Sequence, residues 1–154
     1  MLAVTLPEHG LEGNGSVAFS SAIQAAVPVC APFDLRAQMD ASLARGDSDP
    51  AVLRFLGGGS TDKSEAARRA SPTTYVRPDL PPMLIVHGTA DKRVVPAQSE
   101  AMADALKAAG APYRLRLVPD GGHGMGIARQ DDVFEEILTF FHEHLTSGKS
   151  AAVV

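Results

Sequence analysis

The sequence predicts an α/β fold, a three-layer sandwich in which a mostly parallel sheet of about three strands is flanked by helices. Continuous apolar runs bounded by turn residues predict strands that are buried on both faces. In the second half, strand, helix, strand and helix alternate at the spacing of βαβ units, whose strands pair in parallel. The composition, 45% hydrophobic and 21% charged, is typical of a globular domain. The predicted strands are Ile23–Val29, Met83–His87 and Tyr113–Val118.

The first half is predicted to hold an apolar stub, a loop, one strand and three short helices. Residues 1–6 are apolar, have no N-cap residue before them and end at Pro7, which predicts a helix whose start lies upstream. Residues 8–21 are rich in Gly, Ser and Asn, the composition of a loop. Within Ile23–Val29, Pro28 has no N–H for a ladder hydrogen bond, so we expect it near a strand end or a sheet edge. The helices are predicted over 36–45, 49–56 and 64–70.

The second half predicts two strands, each followed by a longer helix. Met83–His87 is an uninterrupted apolar run that follows two prolines. Residues 97–109 place apolar side chains three or four positions apart, and Gly110 gives this helix its C-terminal stop. Tyr113–Val118 alternates between apolar and polar residues, as a half-buried strand does. Residues 131–145 predict an amphipathic helix.

Length, charge and cysteine content exclude several classes of protein. The 154 residues suffice for one domain, predicted over residues 1–145 and followed by a frayed tail at 146–154. The net charge of −4 disfavours a nucleic-acid partner, and no apolar run reaches the roughly 20 residues that cross a bilayer. The single cysteine, Cys30, excludes internal disulfides and a multi-cysteine metal site. Residues 1–7 lack the features of a signal peptide, so the cytoplasm is the default location unless an upstream segment carries a signal.

Two loops that follow predicted strands carry the candidate catalytic residues. Asp91 lies in the loop after Met83–His87, and His123, flanked by glycines, lies 32 positions later in the loop after Tyr113–Val118. In a parallel sheet both loops leave the same edge, where ligands bind. An acid followed by a histidine can form the last two members of a nucleophilic triad, because the carboxylate sets the imidazole tautomer and the imidazole takes the nucleophile's proton. His87, at a strand end, is predicted to be a structural side chain.

The same residues carry a resemblance to a known family. The sequences P-M-L-I-V-H-G-T-A-D at 82–91, V-P-A-Q-S at 95–99 and G-G-H-G at 121–124 resemble the acid-bearing and histidine-bearing regions of α/β-hydrolases, in the feruloyl-esterase-like and prolyl-oligopeptidase-like branch. The resemblance extends over most of the chain. It implies a serine hydrolase acting on a small ester or acyl substrate, with Asp91 as the triad acid and His123 as the base. No metal or organic cofactor is expected.

The nucleophile motif of this family, G-x-S-x-G, does not occur in the sequence. Ser16 and Ser60 each lack at least one of the two flanking glycines. The stub at residues 1–5 resembles the helix that follows this motif in the family. We therefore expect the chain to be the C-terminal part of a serine hydrolase, a truncated α/β-hydrolase domain with little serine-type activity of its own.

Three other interpretations stay open. The chain can be a non-catalytic binding or assembly module on a degenerate hydrolase scaffold, or a peptidase of the prolyl-oligopeptidase-like branch. It can also be a hydrolase with a rebuilt site that uses Cys30 or a group supplied across a dimer interface, although a lone cysteine is more often a buried core residue. The strand Ile23–Val29 would be an unpaired edge of a truncated sheet, so a homo-oligomer through this edge is predicted.

Overall fold

The computed structural model of the chain describes Val4 and residues 22–46, 51–57 and 64–145. The helices in these ranges are α1 (Leu35–Ala44), α2 (Ala51–Phe55), α3 (Ser64–Ala70), α4 (Ala97–Ala109), α5 (Met125–Ala128) and α6 (Asp131–Leu145). The strands are β1 (Met83–Gly88) and β2 (Tyr113–Val118), and a 3-10 turn covers Pro72–Tyr75. None of the helices described is long and apolar enough to cross a membrane.

β1 and β2 form a parallel sheet, and α4 makes the crossover between them. The register pairs Met83 with Tyr113 and continues without interruption to Gly88 and Val118. Every residue of β1 is buried, whereas β2 is only partly buried. This difference follows from the two sequences, because β1 is an apolar run and β2 alternates with arginines.

The predicted third strand, Ile23–Val29, is not confirmed, since the described residues contain a sheet of two strands. The segment nevertheless lies parallel to β1 and is joined to it by two isolated bridges. The N–H groups of Ala26 and Cys30 donate to carbonyl oxygens along the segment that leads into and forms β1, at 3.0 and 2.9 Å. Pro28 stands midway between these donors and has no N–H to give. The ladder is therefore interrupted at its middle hydrogen bond.

The described residues form two core clusters on opposite faces of the sheet, because successive side chains of β1 point to opposite sides. The first cluster packs between β1 and α4, and the second packs between β1 and α6. Their central members are Met83, Ile85, Met102 and Leu106 in the first cluster and Leu84, Val86, Val133 and Phe140 in the second. Helices thus cover both faces of the sheet.

Most of the predicted helices agree with the structure. α3, α4 and α6 have the predicted bounds, and Gly110 ends α4 in the left-handed conformation with φ 73°. α1 begins and ends one residue earlier than predicted. α2 ends one residue before the predicted end at 56, and the predicted start at residues 49–50 lies outside the described residues. The predictions for Ser16, Ser60, the loop 8–21, the tail 146–154 and, apart from the buried Val4, the stub 1–6 lie outside the described residues. The sequence patterns do not predict α5 or the 3-10 turn, which have only four residues each.

Candidate active site

The two candidate loops leave the same edge of the sheet and are joined by backbone hydrogen bonds. The N–H of Thr89 donates to the carbonyl oxygen of the last residue of β2 at 2.9 Å. The N–H of Ala90 donates to the carbonyl oxygen of Gly121, also at 2.9 Å. The parallel pairing of the strands therefore continues into the loops, and it brings Asp91 next to His123.

Gly88, the last residue of β1, lies where the two loops approach most closely. A Cβ atom at this position would lie 2.2 Å from the carbonyl oxygen of Gly121 and 2.6 Å from that of Gly122. Both oxygens belong to the backbone, which cannot swing aside as a side chain can. A glycine is therefore needed at the end of β1 if the loop that carries His123 is to reach Asp91.

His123 and Asp91 are hydrogen-bonded to each other, with 2.7 Å between Nδ1 of His123 and Oδ2 of Asp91. The other carboxylate oxygen, Oδ1, accepts the backbone N–H groups of Arg93 and Val94 at 2.8 and 3.0 Å. Burial raises the pKa of the Asp91 carboxyl, but the hydrogen bonds from His123, Val94 and Arg93 outweigh burial and leave this pKa below its ordinary value. The carboxylate is ionised at neutral pH, so Nδ1 of His123 carries the hydrogen.

The two partners differ in their exposure to solvent. The side chain of Asp91 is fully buried, whereas that of His123 is 32% exposed. Because Nδ1 of His123 is held by the carboxylate, Nε2 is the nitrogen that can take a proton. The structure thus brings together the two residues that the sequence predicts as acid and base, in a geometry suited to proton transfer.

His87 is a second histidine beside the same carboxylate. Its side chain is fully buried, with Nδ1 2.6 Å from Oγ of Ser99 and Nε2 2.9 Å from the carbonyl oxygen of Val94. A carbonyl oxygen only accepts, so Nε2 carries the hydrogen, and this nitrogen also lies 3.3 Å from Oδ2 of Asp91. These contacts agree with the predicted structural role of His87. The sequence analysis does not predict that His87 lies close to Asp91. The feature of the sequence that could have indicated it is the position of His87 on the strand that leads to the acid.

Cys30 also lies beside the pair. It is buried, as predicted for a lone cysteine, and its backbone has a left-handed φ of 50°, which is uncommon for a residue with a Cβ. Its Sγ is 3.9 Å from the carbonyl oxygen of Gly122. One donor atom each of Cys30, Asp91 and His123 lies within 4.8 Å of the other two. The sequence alone does not predict this closeness, because it depends on the register between residues 22–30 and β1.

An apolar cavity lies away from the pair of Asp91 and His123. It has a volume of about 720 Å³, and neither Asp91 nor His123 lines it. It borders the segment Ile23–Val29 and α2, where the ring of Phe55 is 72% exposed. Its lining includes Ala26, Pro28, Phe33, Val52 and Met102. This cavity is therefore an apolar surface feature, separate from the groups that can do chemistry.

The comparison with protein families matches residues 17–148 to the prolyl oligopeptidase family. The esterase LipQ of Mycobacterium tuberculosis is 33% identical over 110 residues, which cover 70% of this chain and 25% of that protein. The solved structure of a truncated form of a carbohydrate esterase from gut microbiota is 31% identical, with a TM-score of 0.70 over 84% of this chain and 45% of its own. A puromycin-hydrolysing peptidase of Mycobacterium tuberculosis is 25% identical, with a TM-score of 0.67 over 80% of this chain and 18% of its own. The chain spans less than half the length of each of these relatives.

Proposed function

Because the chain belongs to the prolyl oligopeptidase family and corresponds to the C-terminal portion of an α/β-hydrolase type of fold, we propose that it supplies the acid and the base of a serine hydrolase that cleaves carboxylic esters. The observation that carries this proposal is the 2.7 Å hydrogen bond between Nδ1 of His123 and Oδ2 of Asp91. The pair lies at the carboxyl edge of a parallel sheet, where open α/β folds bind their ligands.

Each group has one task in the proposed reaction. The carboxylate of Asp91 keeps a hydrogen on Nδ1 of His123 and stabilises the imidazolium that forms. Nε2 of His123 takes the proton of a serine hydroxyl as its oxygen attacks the ester carbonyl, and then gives this proton to the departing alcohol. Water next attacks the acyl-enzyme while Nε2 takes its proton, and Nε2 then gives this proton to the serine oxygen as the carboxylic acid leaves. The partial exposure of the His123 ring leaves it accessible to a substrate.

The serine is the part that this sequence does not carry, since no G-x-S-x-G motif occurs among the 154 residues. The proposal therefore takes the nucleophile from polypeptide outside this sequence. Removal of a triad nucleophile lowers turnover by on the order of 10⁶. The 154 residues alone are expected to hydrolyse esters little faster than buffer does.

Esters are the favoured substrates because the more similar of the relatives described above are esterases. The two that are 33% and 31% identical to this chain are both esterases. A peptidase is the alternative, supported by the name of the family and by the puromycin-hydrolysing peptidase. The pair of Asp91 and His123 would serve either reaction, because the triad histidine gives its proton to an alcohol or to an amine leaving group.

The first test concerns the pair in the 154-residue chain itself. Nitrogen NMR of the imidazole rings should show His123 with its hydrogen on Nδ1, and this hydrogen should resonate far downfield because it is bonded to a carboxylate. Asp91→Asn should remove the downfield signal. His142→Ala, at an exposed histidine of α6, is the matched control and should leave it unchanged. A His123 ring with its hydrogen on Nε2 would contradict the proposal.

The second test supplies a nucleophile. A segment that carries a G-x-S-x-G motif, taken from an α/β-hydrolase, is placed before this chain, and the chimera is assayed with nitrophenyl acetate and with the matching nitroanilide. We expect ester hydrolysis that falls by on the order of 10⁶ in His123→Ala and is unchanged in His142→Ala. A folded chimera whose ester hydrolysis does not need His123 would overturn the proposal, and preference for the anilide would favour the peptidase.

A thiol nucleophile is the second candidate, favoured by the closeness of Cys30 to the pair. A thiolate is a stronger nucleophile than a serine hydroxyl, but this sulfur is buried and faces the carbonyl oxygen of Gly122. Ester hydrolysis by the 154-residue chain that is lost both in Cys30→Ser and in His123→Ala would support this candidate. No hydrolysis by the chain or by the folded chimera would favour a non-catalytic module.

We also propose that a second copy of the chain covers the edge at Ile23–Val29. The apolar cavity beside this segment and the exposed ring of Phe55 form a surface that a partner would bury. Light scattering over a concentration series should give a dimer, and Phe55→Ser should weaken it. A folded monomer that persists at high concentration would contradict this assembly.

A further inference from the structure

We propose that Cys30, Asp91 and His123 form a binding site for Zn²⁺ or a similar borderline divalent ion. One donor atom from each residue lies within 4.8 Å of the other two. The three donors follow the two strands of the sheet and the segment 22–29, which isolated bridges join to β1, so they meet at one edge. Binding at this site needs no nucleophile and concerns this chain's own residues alone.

The donor set is one that zinc selects. Zn²⁺ binds thiolate sulfur, imidazole nitrogen and carboxylate oxygen, and sites with three protein ligands keep a fourth position open. Bonds of about 2.0–2.3 Å place the ligand atoms of a tetrahedral site roughly 3.3–3.8 Å apart. Since the present separations do not exceed 4.8 Å, Sγ of Cys30 needs to approach the other donors by about 1 Å at most. Nδ1 of His123 and Oδ2 of Asp91, which are 2.7 Å apart, need to separate by about 0.6 Å.

Two of the donors are already held in place. Backbone N–H groups of Arg93 and Val94 hold Oδ1 of Asp91, so an ion would bind Oδ2 in place of the hydrogen bond from His123. The N–H of Cys30 donates to a carbonyl oxygen of β1 at 2.9 Å. The thiol of Cys30 makes a long contact, 3.9 Å, with the carbonyl oxygen of Gly122. Because a thiol is a weak donor, little is lost when this sulfur turns to an ion.

His123 is the donor that can adjust. Its ring is partly exposed, which also gives an ion a path from solvent. The flanking glycines Gly122 and Gly124 have open space where a side chain would lie. The carbonyl of Gly122 faces Gly88, so the adjustment falls on Gly124, which has no Cβ to restrict its backbone, and on the ring torsions of His123. The ring of His123 can therefore turn away from Oδ2 of Asp91 far enough to admit an ion, while Cys30 and Asp91 stay where they are.

Metal binding is incompatible with the hydrogen bond of the pair. Nδ1 of His123 and Oδ2 of Asp91 are 2.7 Å apart, closer than two ligands of one tetrahedral ion. An ion on Nδ1 leaves the hydrogen on Nε2, and an ion on Nε2 occupies its lone pair. In both cases the imidazole loses the ability to take a proton from a nucleophile. Zn²⁺ is then a reversible inhibitor of the hydrolase, a consequence that rests on the proposed function.

The test uses the 154-residue chain with Zn²⁺ or Co²⁺ alone. Calorimetric titration with Zn²⁺ should give one site per chain, and Co²⁺ should give the near-ultraviolet charge-transfer absorption of a cobalt–thiolate bond. Cys30→Ser should abolish that absorption. His123→Ala should weaken the affinity by more than the roughly 10- to 100-fold that loss of a supporting partner costs. His142→Ala, the matched surface histidine, should change neither quantity.

Three outcomes would each overturn the site: no binding of Zn²⁺, binding without the thiolate absorption, or binding that depends on His142 and not on His123. His123→Ala keeps the proposal testable even where Cys30→Ser fails to fold, because His123 is partly exposed. Failure of the proposed function is measured separately, as absent ester hydrolysis by the chimera in metal-free buffer. Inhibition of the chimera by Zn²⁺, relieved by a chelator, is expected when both proposals hold.

Discussion

The acid and the base of the candidate site are held in opposite ways. The carboxylate of Asp91 is buried and accepts hydrogen bonds from the backbone N–H groups of Arg93 and Val94. Its Oδ2 also lies 3.3 Å from Nε2 of His87. The ring of His123 is one-third exposed and lies between glycines. An acid needs only to hold its charge and direction, whereas a base has to meet a nucleophile and a substrate. The loop of Asp91 therefore sets the orientation of the pair, and the loop of His123 leaves the imidazole accessible to the nucleophile and the substrate.

Asp91→Asn should have the largest effect of the substitutions proposed, because it removes the charge of the buried acid without changing the shape of its side chain. The amide can donate to Nδ1 of His123, so the imidazole hydrogen moves to Nε2 and the base is lost. We expect ester hydrolysis by the chimera to fall by on the order of 10⁴, or about 5.5 kcal/mol in the barrier. Steady-state assays measure this, with circular dichroism to check the fold. A loss below tenfold would show that the carboxylate does not orient His123.

Gly88→Ala should have the next largest effect, a loss of stability, because the new Cβ would meet backbone atoms of both Gly121 and Gly122. We expect the free energy of unfolding to fall by about 3 kcal/mol, the upper end for overpacking, since neither carbonyl can swing aside. Urea denaturation measures the loss. Hydrogen exchange at the Ala90 N–H should also speed up, because its bond to Gly121 would open. Unchanged stability and exchange would mean that the loops are not pressed together.

The sequence predicts those parts of the molecule that depend on local pattern. The bounds of α4 and β2 follow from the spacing of apolar residues and from Gly110, and the pairing of Asp91 with His123 follows from their places after parallel strands. At Pro28 the sequence predicts a strand end or a sheet edge, but not that the proline interrupts the middle of a ladder. The closeness of Cys30 to the pair depends on register between distant segments, which no local pattern carries.

His87→Leu should have an intermediate effect, because it acts on the support of the loop of Asp91 and not on the pair itself. The substitution leaves the carbonyl oxygen of Val94 and the hydroxyl of Ser99 without their present partner in a buried place. We expect a loss of about 2 kcal/mol in the free energy of unfolding. Urea denaturation measures it, with His142→Leu at the exposed site as the control, expected within about 0.5 kcal/mol. A loss as small as that of the control would remove His87 from the support of Asp91.

Gly122→Ala should have the smallest effect and the opposite sign, and it tests whether the loop of His123 is as loosely packed as its exposure indicates. A Cβ at this position would meet no atom within 4 Å, and the backbone is not in the left-handed region. Alanine then restricts mainly the unfolded chain, so we expect a gain of about 0.4–1 kcal/mol in urea denaturation. The chimera should keep its rate within about twofold, since the ring of His123 is not touched.

A loss of stability in Gly122→Ala, in place of a gain, would mean that the histidine loop is packed as tightly as the acid loop. The contrast with Gly88→Ala makes this informative, because both changes add one methyl group within the same pair of loops. Opposite signs for the two variants are expected only if the contact between the loops is concentrated at the end of β1. In that case the orientation of His123 comes from Asp91 and from the backbone beside Gly88, while the glycines around the ring remain free to adjust.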